Sequence, residues 1–147
     1  MKFICGSIVA CLLVATVAAT PFTNCQEGAP PSALRVEGCD KAPCKLRRGT
    51  NVSAEWDFTV NADTKHLTPR VRATTLGMTV NFPFPQKDAC ETLIGTSCPL
   101  IAGDNVTYKL TMPVARYYPQ VSISIEFAFL DDAGQVAVCF KLAAKTA

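Results

Sequence analysis

The segment that decides the fold reads VSISIEFAF and occupies residues 121–129. Its odd-numbered positions are all apolar, whereas the positions between them hold serine, glutamate or alanine. A period of two places successive side chains on opposite faces of a β-strand. The segment therefore predicts a strand with one buried face and one solvated face.

The same alternation returns in residues 52–60, 106–114 and 136–142, and in a noisier form in residues 71–82. Turn residues separate these runs, and the sequence DDAG at residues 131–134 predicts a hairpin. The mature chain shows no helical periodicity of useful length. Five or more half-buried strands predict an all-β protein in which two antiparallel sheets pack face to face. In the noisier run, the side chains predicted to face inward are those of Leu76, Met78, Val80 and Phe82.

The inward positions of these strands carry no charge, so the sheets are expected to enclose a dry space. The pattern does not distinguish a space filled by side chains from one that leaves a cavity, and close packing is the usual arrangement. If a cavity exists, its predicted lining, each member of which also suits an ordinary core, is Trp56, Phe58, Val80, Leu110, Ile123, Ile125, Phe127 and Val138.

Proline lies beside large apolar residues in FPFP (residues 82–85), MPV (112–114) and YYP (117–119). Because proline has no N–H for a sheet ladder, a central strand cannot continue beyond Phe82, and residues 114–118 must leave regular pairing. If the two regions meet, aromatic side chains line a mouth through which a ligand enters between the sheets. The alternative is that these residues plug the end of a solid core.

The first 19 residues have the composition of a secretory signal peptide. Lys2 precedes an uncharged apolar run, and small residues lead up to Ala19, after which we predict cleavage. The remainder, residues 20–147, suits one domain. An uncleaved anchor is the alternative, but the apolar run is short for a membrane span. We expect a product that is exported and soluble.

Six cysteines remain after cleavage, and an even number in an exported domain indicates three disulfides. Spacing does not choose among the many connectivities. Cys39 and Cys44 are close enough for a local bridge, as are Cys90 and Cys98, which would leave Cys25 with Cys139. A zinc site is the alternative, although the pairs lack CxxC spacing.

Two N-glycosylation sequons begin at Asn51 and Asn105, each where a polar loop gives way to an apolar alternation. These positions are expected to be exposed, and either sequon can remain unused.

Composition disfavours several classes of function. The net charge of +2 and the absence of a basic run disfavour nucleic-acid binding. An enzyme is the rival class, but no GxSxG or comparable motif occurs, and the single histidine, His66, lies in a polar stretch typical of an exposed loop. The carboxylates of Asp57, Asp131 and Asp132 fall on wet faces or turns. We therefore predict no catalytic residues, no metal site and no cofactor.

Taken in order, CPL at residues 98–100, PV at 113–114, YP at 118–119 and DD at 131–132 resemble the ML (MD-2-related lipid-recognition) family. The likeness is greatest to its Niemann–Pick type C2 sterol-transfer group. The sequence EGC at residues 37–39 and FPFP before Cys90 extend it over essentially the whole mature chain.

This resemblance implies an immunoglobulin-like β-sandwich with a hydrophobic lipid pocket between its sheets. It also implies the disulfides Cys25–Cys139, Cys39–Cys44 and Cys90–Cys98. The sterol-contacting residues of the family would correspond to Phe82, Val114 and Tyr118, which the prolines had already placed at the mouth.

The function implied is secretion or lysosomal delivery of a monomer that binds sterol and takes part in its transport. Its partners would be the lipid and a membrane sterol-transfer protein or receptor. Phenylalanine stands at positions 127 and 140, where sterol-transfer relatives commonly carry tryptophan. A carrier of fatty acids or semiochemicals is therefore one alternative. Recognition of microbial glycolipid is another, for which the candidate cations are Arg47, Arg48, Lys109 and Arg116.

Overall fold

The structure is a computed structural model that describes residues 19–147 and, before them, Cys11 and Leu13. The segment predicted as a signal peptide lies almost entirely outside the described residues, so its cleavage stays a prediction. In the described part of the chain, no helix combines the length and the apolar character needed to cross a bilayer.

Ten β-strands and one short 3-10 turn, Ala89–Thr92, make up the regular structure of residues 19–147. The strands are β1 (Thr23–Asn24), β2 (Ala33–Val36), β3 (Cys44–Leu46), β4 (Asn51–Thr59), β5 (Thr68–Thr75), β6 (Met78–Phe82), β7 (Leu93–Ile94), β8 (Asn105–Pro113), β9 (Ser122–Leu130) and β10 (Val136–Thr146).

The strands form two sheets. One has the order β1-β10-β9-β5-β6, with β3 also paired to β10, and the other has the order β2-β4-β8-β7. All the strand pairs are antiparallel except β3 and β10, which run parallel. The predicted all-β sandwich is thus confirmed, with one short parallel pair that the alternation did not indicate.

The predicted hairpin joins β9 to β10. The carboxylate of Asp131 accepts hydrogen bonds from the backbone N–H groups of Ala133 and Gln135, at 3.0 and 2.9 Å. Gly134 takes a positive φ of 75°, which glycine adopts without the penalty that a Cβ brings. This turn keeps β9 and β10 in register over most of their length.

One end of the sandwich is filled by aromatic rings from both sheets. Trp56 on β4 lies 4.7 Å from Tyr108 on β8, measured between ring centroids, and 4.9 Å from Phe140 on β10. Phe127 and Phe129 on β9 complete this aromatic cluster at 5.5 and 5.6 Å from Trp56. Rings at these separations pack favourably, so this end holds the sheets together.

Three disulfides join Cys25 to Cys139, Cys39 to Cys44 and Cys90 to Cys98, which confirms the predicted pairing. All six sulfurs are consumed in these bonds, so none remains as a thiolate for the alternative zinc site. The first bridge fastens the segment around β1 to the middle of β10.

Strand β6 departs from its predicted burial. Leu76, Met78 and Val80 are 95%, 68% and 55% exposed, and only Phe82 is half-buried. Leu76 belongs to the turn before the strand, where its φ is 50°. The parity of the run is kept, but β6 is the edge of its sheet, and no further strand in residues 19–147 covers it.

Candidate functional site

The prolines end two strands where the sequence predicted. Strand β6 stops at Phe82, and β8 stops at Pro113. The chain after β8 crosses back beside β6, so that the rings of Phe82 and Tyr118 meet edge to face with centroids 6.4 Å apart. At this end of the sandwich, regular strand pairing has therefore stopped at β6 in one sheet and at β8 in the other.

The loop from residue 47 to residue 50 holds the segment after β8 in place. Backbone hydrogen bonds join Gly49 N–H to Val114 O at 2.6 Å and Val114 N–H to Thr50 O at 2.8 Å. Arg48 donates from its guanidinium to Tyr118 O at 3.2 Å. Gly49 has a φ of +81°, a backbone conformation that glycine adopts without the penalty that a Cβ brings.

A cavity of about 280 Å³ lies between the sheets behind this mouth, and its exposed wall is wholly apolar. Among the described residues, the polar side chains that line it are those of Tyr118 and Thr146. Thr146 is already satisfied, because its hydroxyl accepts from Val121 N–H at 2.8 Å and donates to Pro119 O. A cavity with such walls favours an apolar guest over water.

The cavity brings together a subset of the predicted lipid-contacting residues: Val80, Phe82, Val114, Tyr118, Ile123 and Ile125. Leu110, Trp56 and Phe127 instead border a smaller inner void of about 20 Å³. Phe58 and Val138 line neither space and are buried in the core at 2% exposure each.

Several lining residues were not predicted. Met112, Pro113 and Val121 belong to runs or motifs that the sequence had already marked, and the inward parity of Met112 and Val121 was a usable signal. Leu46, Val71 and Ala73 also line the cavity. Nothing in the sequence singles out Ala73, whose small side chain leaves room for the space beside it.

The profile of the ML domain matches residues 19–146. The chain belongs to the ML domain family. A homologue in Drosophila melanogaster, NPC intracellular cholesterol transporter 2 homolog a, is 33% identical over 143 residues, which are 95% of this chain and 96% of that protein.

Two solved structures show the same fold as this ML domain. A Niemann–Pick type C2 protein from the Japanese carpenter ant has a TM-score of 0.78 at 24% identity, covering 86% of this chain and 99% of the ant chain. Chicken MD-1, solved in complex with lipid IVa, has a TM-score of 0.51 at 13% identity over 76% of this chain and 78% of its own.

Charged side chains of this ML domain lie away from the cavity wall. On the outer face of β2 and β4, Arg35 donates two hydrogen bonds of 2.9 Å to Asp57. The hydrogen bonds to Asp57 raise the pKa of Arg35, and the hydrogen bond from Arg35 lowers the pKa of Asp57. Lys109 is paired across strands with Glu55 on this face.

The four cations predicted for glycolipid recognition do not form one cluster at the mouth. Arg48 and Arg116 contact the loops at the mouth, and Arg47 precedes Arg48 in sequence. Lys109 lies on the outer face of β8.

Tyr108 is a structural residue of the aromatic cluster. Burial raises its pKa to about 12, and its hydroxyl donates to Oε1 of Gln86 at 2.5 Å. It therefore stays protonated at physiological pH and anchors the segment that follows FPFP.

His66 is exposed, as predicted, and its Nδ1 lies 2.9 Å from Oδ2 of Asp88. The hydrogen bond to Asp88 raises the pKa of His66. For Asp88, burial alone would raise the pKa, but hydrogen bonds from His66 and from the backbone N–H groups of Cys90 and Leu67 together lower it. The pair braces the 3-10 turn at the base of the Cys90–Cys98 loop and lines neither cavity nor inner void.

The ion pair between His66 and Asp88 is expected to add stability only while His66 is protonated and Asp88 is ionised. The raised pKa of His66 means that its contribution is full below the ordinary value of ~6.5 and is lost as pH rises through the folded value. The lowered pKa of Asp88 means that its contribution is present above ~3.9 and is lost as pH falls through the folded value. Both are present together between about pH 4 and pH 6.5.

We expect His66→Gln to lower the urea midpoint of unfolding at about pH 5 and to leave it unchanged at about pH 8.5. The fluorescence of Trp56, the only tryptophan, reports unfolding at both values. An equal loss at the two pH values would mean that the imidazole acts through packing and not through its charge.

Proposed function

We propose that this ML domain is a secreted lipid carrier that holds a sterol between its two sheets and takes part in sterol transport. The observation that carries the proposal is the apolar cavity of about 280 Å³ behind the mouth of Phe82, Val114 and Tyr118. The similarity to a protein named as a cholesterol transporter supports the choice of sterol.

Binding is driven by desolvation. Removing apolar surface from water contributes roughly 25 cal/mol per Å², and the cavity wall offers no charge that a ligand would have to neutralise. A ligand with one polar group would keep that group at the mouth, where the hydroxyl of Tyr118 is the available partner. No step of this mechanism needs a catalytic residue or a cofactor.

A carrier of fatty acids or semiochemicals is the second candidate, and the size of the cavity favours it. Its volume of about 280 Å³ lies just below the ~300–1,000 Å³ typical of small-molecule sites. A slender acyl chain needs less lateral space than a ring system and fits such a cavity without rearrangement of the walls.

We also propose that the chain acts outside the cytosol, in secretions or in the lysosome, with glycans on Asn51 and Asn105. Both asparagines are exposed at the first residue of a strand, and three disulfides suit an oxidising compartment. Transfer would use the rim of the mouth, where Val80 and Tyr117 are 55% and 85% exposed. A membrane sterol-transfer protein or receptor would take the ligand from a monomeric carrier there.

Native mass spectrometry of protein purified from secreting cells, followed by lipid extraction, tests the proposal. A co-purifying sterol supports sterol transport, and a fatty acid supports the second candidate. Protein that carries no lipid and takes up neither class from vesicles would overturn both.

The residues of the mouth give a direct prediction. We expect Phe82→Ala and Tyr118→Ser each to weaken lipid binding by about tenfold to a hundredfold, because each change removes apolar contact worth roughly 1.5–3 kcal/mol. Titration with a fluorescent sterol and a fluorescent fatty acid measures the change.

Tyr117→Ser is the matched control, because Tyr117 is the neighbouring aromatic residue and does not line the cavity. All three variants should unfold at urea concentrations close to that of the natural chain. Unchanged affinity in both Phe82→Ala and Tyr118→Ser would remove the mouth from the binding site.

A further inference from the structure

Two separate spaces lie one behind the other between the sheets. The outer one is the cavity of about 280 Å³, and the inner void of about 20 Å³ lies beneath the aromatic cluster. Three side chains line both spaces: Leu46, Met112 and Ile125. These three side chains therefore form the partition between the cavity and the inner void.

The exposed wall of the inner void is wholly apolar, and the rings above it resist small adjustments. Such a wall offers a water none of the two to four polar partners that it needs. Trp56, Phe127 and Phe140 form part of its wall and also pack against one another at 4.9–5.6 Å. Because close-packed aromatic rings resist rearrangement, the space beneath them is available only if the partition moves.

Met112 is the member of the partition best able to move. Leu46 and Ile125 are only 5% and 6% exposed, whereas Met112 is half-buried. It is the last residue of β8 before Pro113, which cannot donate to the ladder. Methionine is unbranched with three rotatable bonds, so it changes shape at little cost, unlike the branched side chains of its two neighbours.

We propose that Met112 is a specificity-determining gate that sets how far the apolar end of a ligand reaches between the sheets. With Met112 across the partition, the ligand ends in the cavity. When the side chain swings aside, the inner void becomes continuous with it. Met112 thereby selects ligands by the length of their buried end. This inference rests on the proposed function, because it assumes that the cavity holds a lipid.

The test measures affinity against ligand length. The probes are straight-chain fatty acids of increasing length, and cholesterol with analogues whose side chains are shortened or extended. Each buried methylene is worth ~0.8 kcal/mol, or about fourfold in affinity. For the natural chain, these increments should continue until the cavity is full and then stop.

Met112→Ala removes three heavy atoms from the partition, so the limiting length should move outward by about two or three carbons. Met112→Val removes less and should move the limit by about one carbon. The valine variant retains a residue that favours strands, so it keeps the test open if Met112→Ala folds poorly.

Two matched controls separate a gate from general loosening. Met112→Leu conserves volume and should leave the limiting length nearly unchanged. Val52→Ala enlarges only the inner void, since Val52 borders that space and not the cavity. Val52 is also the cross-strand partner of Met112, so its truncation disturbs the same site without removing the partition.

The outcomes are distinct. A limit that moves in Met112→Ala and Met112→Val but not in the two controls supports the gate. The same limit in all folded variants, or a limit that moves equally in Val52→Ala, overturns it while the carrier function stands. Binding of neither series to the natural chain overturns the proposed function, and the gate with it.

Discussion

Removal of the Cys25–Cys139 disulfide is expected to lower the free energy of unfolding by about 5 kcal/mol, the largest stability effect that we predict. The two cysteines are separated by 114 positions in sequence, so the bond closes a loop that spans nearly the whole domain. Loop-closure entropy for a loop of this size corresponds to about 4.8 kcal/mol at 25 °C. Cys25→Ala with Cys139→Ala makes the change without leaving a reactive thiol.

The structure gives a second reason for a large effect. Strand β1 contributes only two residues to its pairing with β10, so few backbone hydrogen bonds hold this segment to its sheet. Before Cys25 in the chain, the buried hydroxyl of Thr20 donates to Cys39 O at 2.6 Å and accepts from Val36 N–H at 2.8 Å. Val36 belongs to β2, which lies in the opposite sheet. The segment of residues 20–25 therefore contacts both sheets, and the disulfide joins its end to β10.

The double variant Cys90→Ala with Cys98→Ala is the matched control. Its cysteines are only eight positions apart and are half-buried, for which the same entropy estimate is about 2.6 kcal/mol. Urea unfolding followed by the fluorescence of Trp56 compares the two variants. Equal losses would contradict the entropic account and assign the stability to local packing around each bond. Since native domains are stable by only ~5–15 kcal/mol, failure of the Cys25–Cys139 variant alone to fold agrees with the prediction.

The sequence predicts the faces of the long strands because nine or more residues give the alternation room to repeat. In β9, Ile125 and Phe127 are buried, and their neighbours Ser124 and Glu126 turn to the other face. Strands of two or three residues contain no period. Cys44–Leu46, which pairs parallel to β10, and Leu93–Ile94 were therefore missed.

The lining of the site is harder to predict from the sequence than the faces of the strands. Alternation gives the face on which a side chain lies but not its position along the sandwich. Trp56 and Phe58 share an inward face with the residues of the cavity, yet they lie at the end that aromatic rings fill. The prolines predicted where the open end of the sandwich lies, because they mark the ends of β6 at Phe82 and of β8 at Pro113.

The exposure of β6 was missed for a related reason: alternation gives the face of a side chain but not what lies opposite that face. Val80 has inward parity and lines the cavity, but it is also 55% exposed. An inward side chain is buried only if something lies opposite it. At β6 the opposite side is an open mouth and the strand is a sheet edge, so apolar parity and solvent exposure occur together.

Filling the cavity should abolish lipid binding without harming the fold, the largest effect on function that we predict. Ala73 on β5 lies between Ile125 and Val80 in the sheet, and all three line the cavity. We expect Ala73→Phe to weaken binding of both fluorescent probes by a hundredfold or more, about 2.7 kcal/mol or above. The ring occupies apolar space that the ligand would otherwise fill, so the urea midpoint should stay the same or rise.

The adjacent position provides the control that makes this result decisive. Thr74 points to the opposite face of the same strand, where it lines an outer groove beside Arg72 and Glu126. Thr74→Phe introduces the same ring into the same strand, so any general effect of phenylalanine on β5 appears in both variants. Loss of binding in Ala73→Phe alone places the ligand between the sheets. If folded Ala73→Phe retains natural affinity, the lipid is held somewhere other than in the cavity, and the mouth and the Met112 gate lose their roles together.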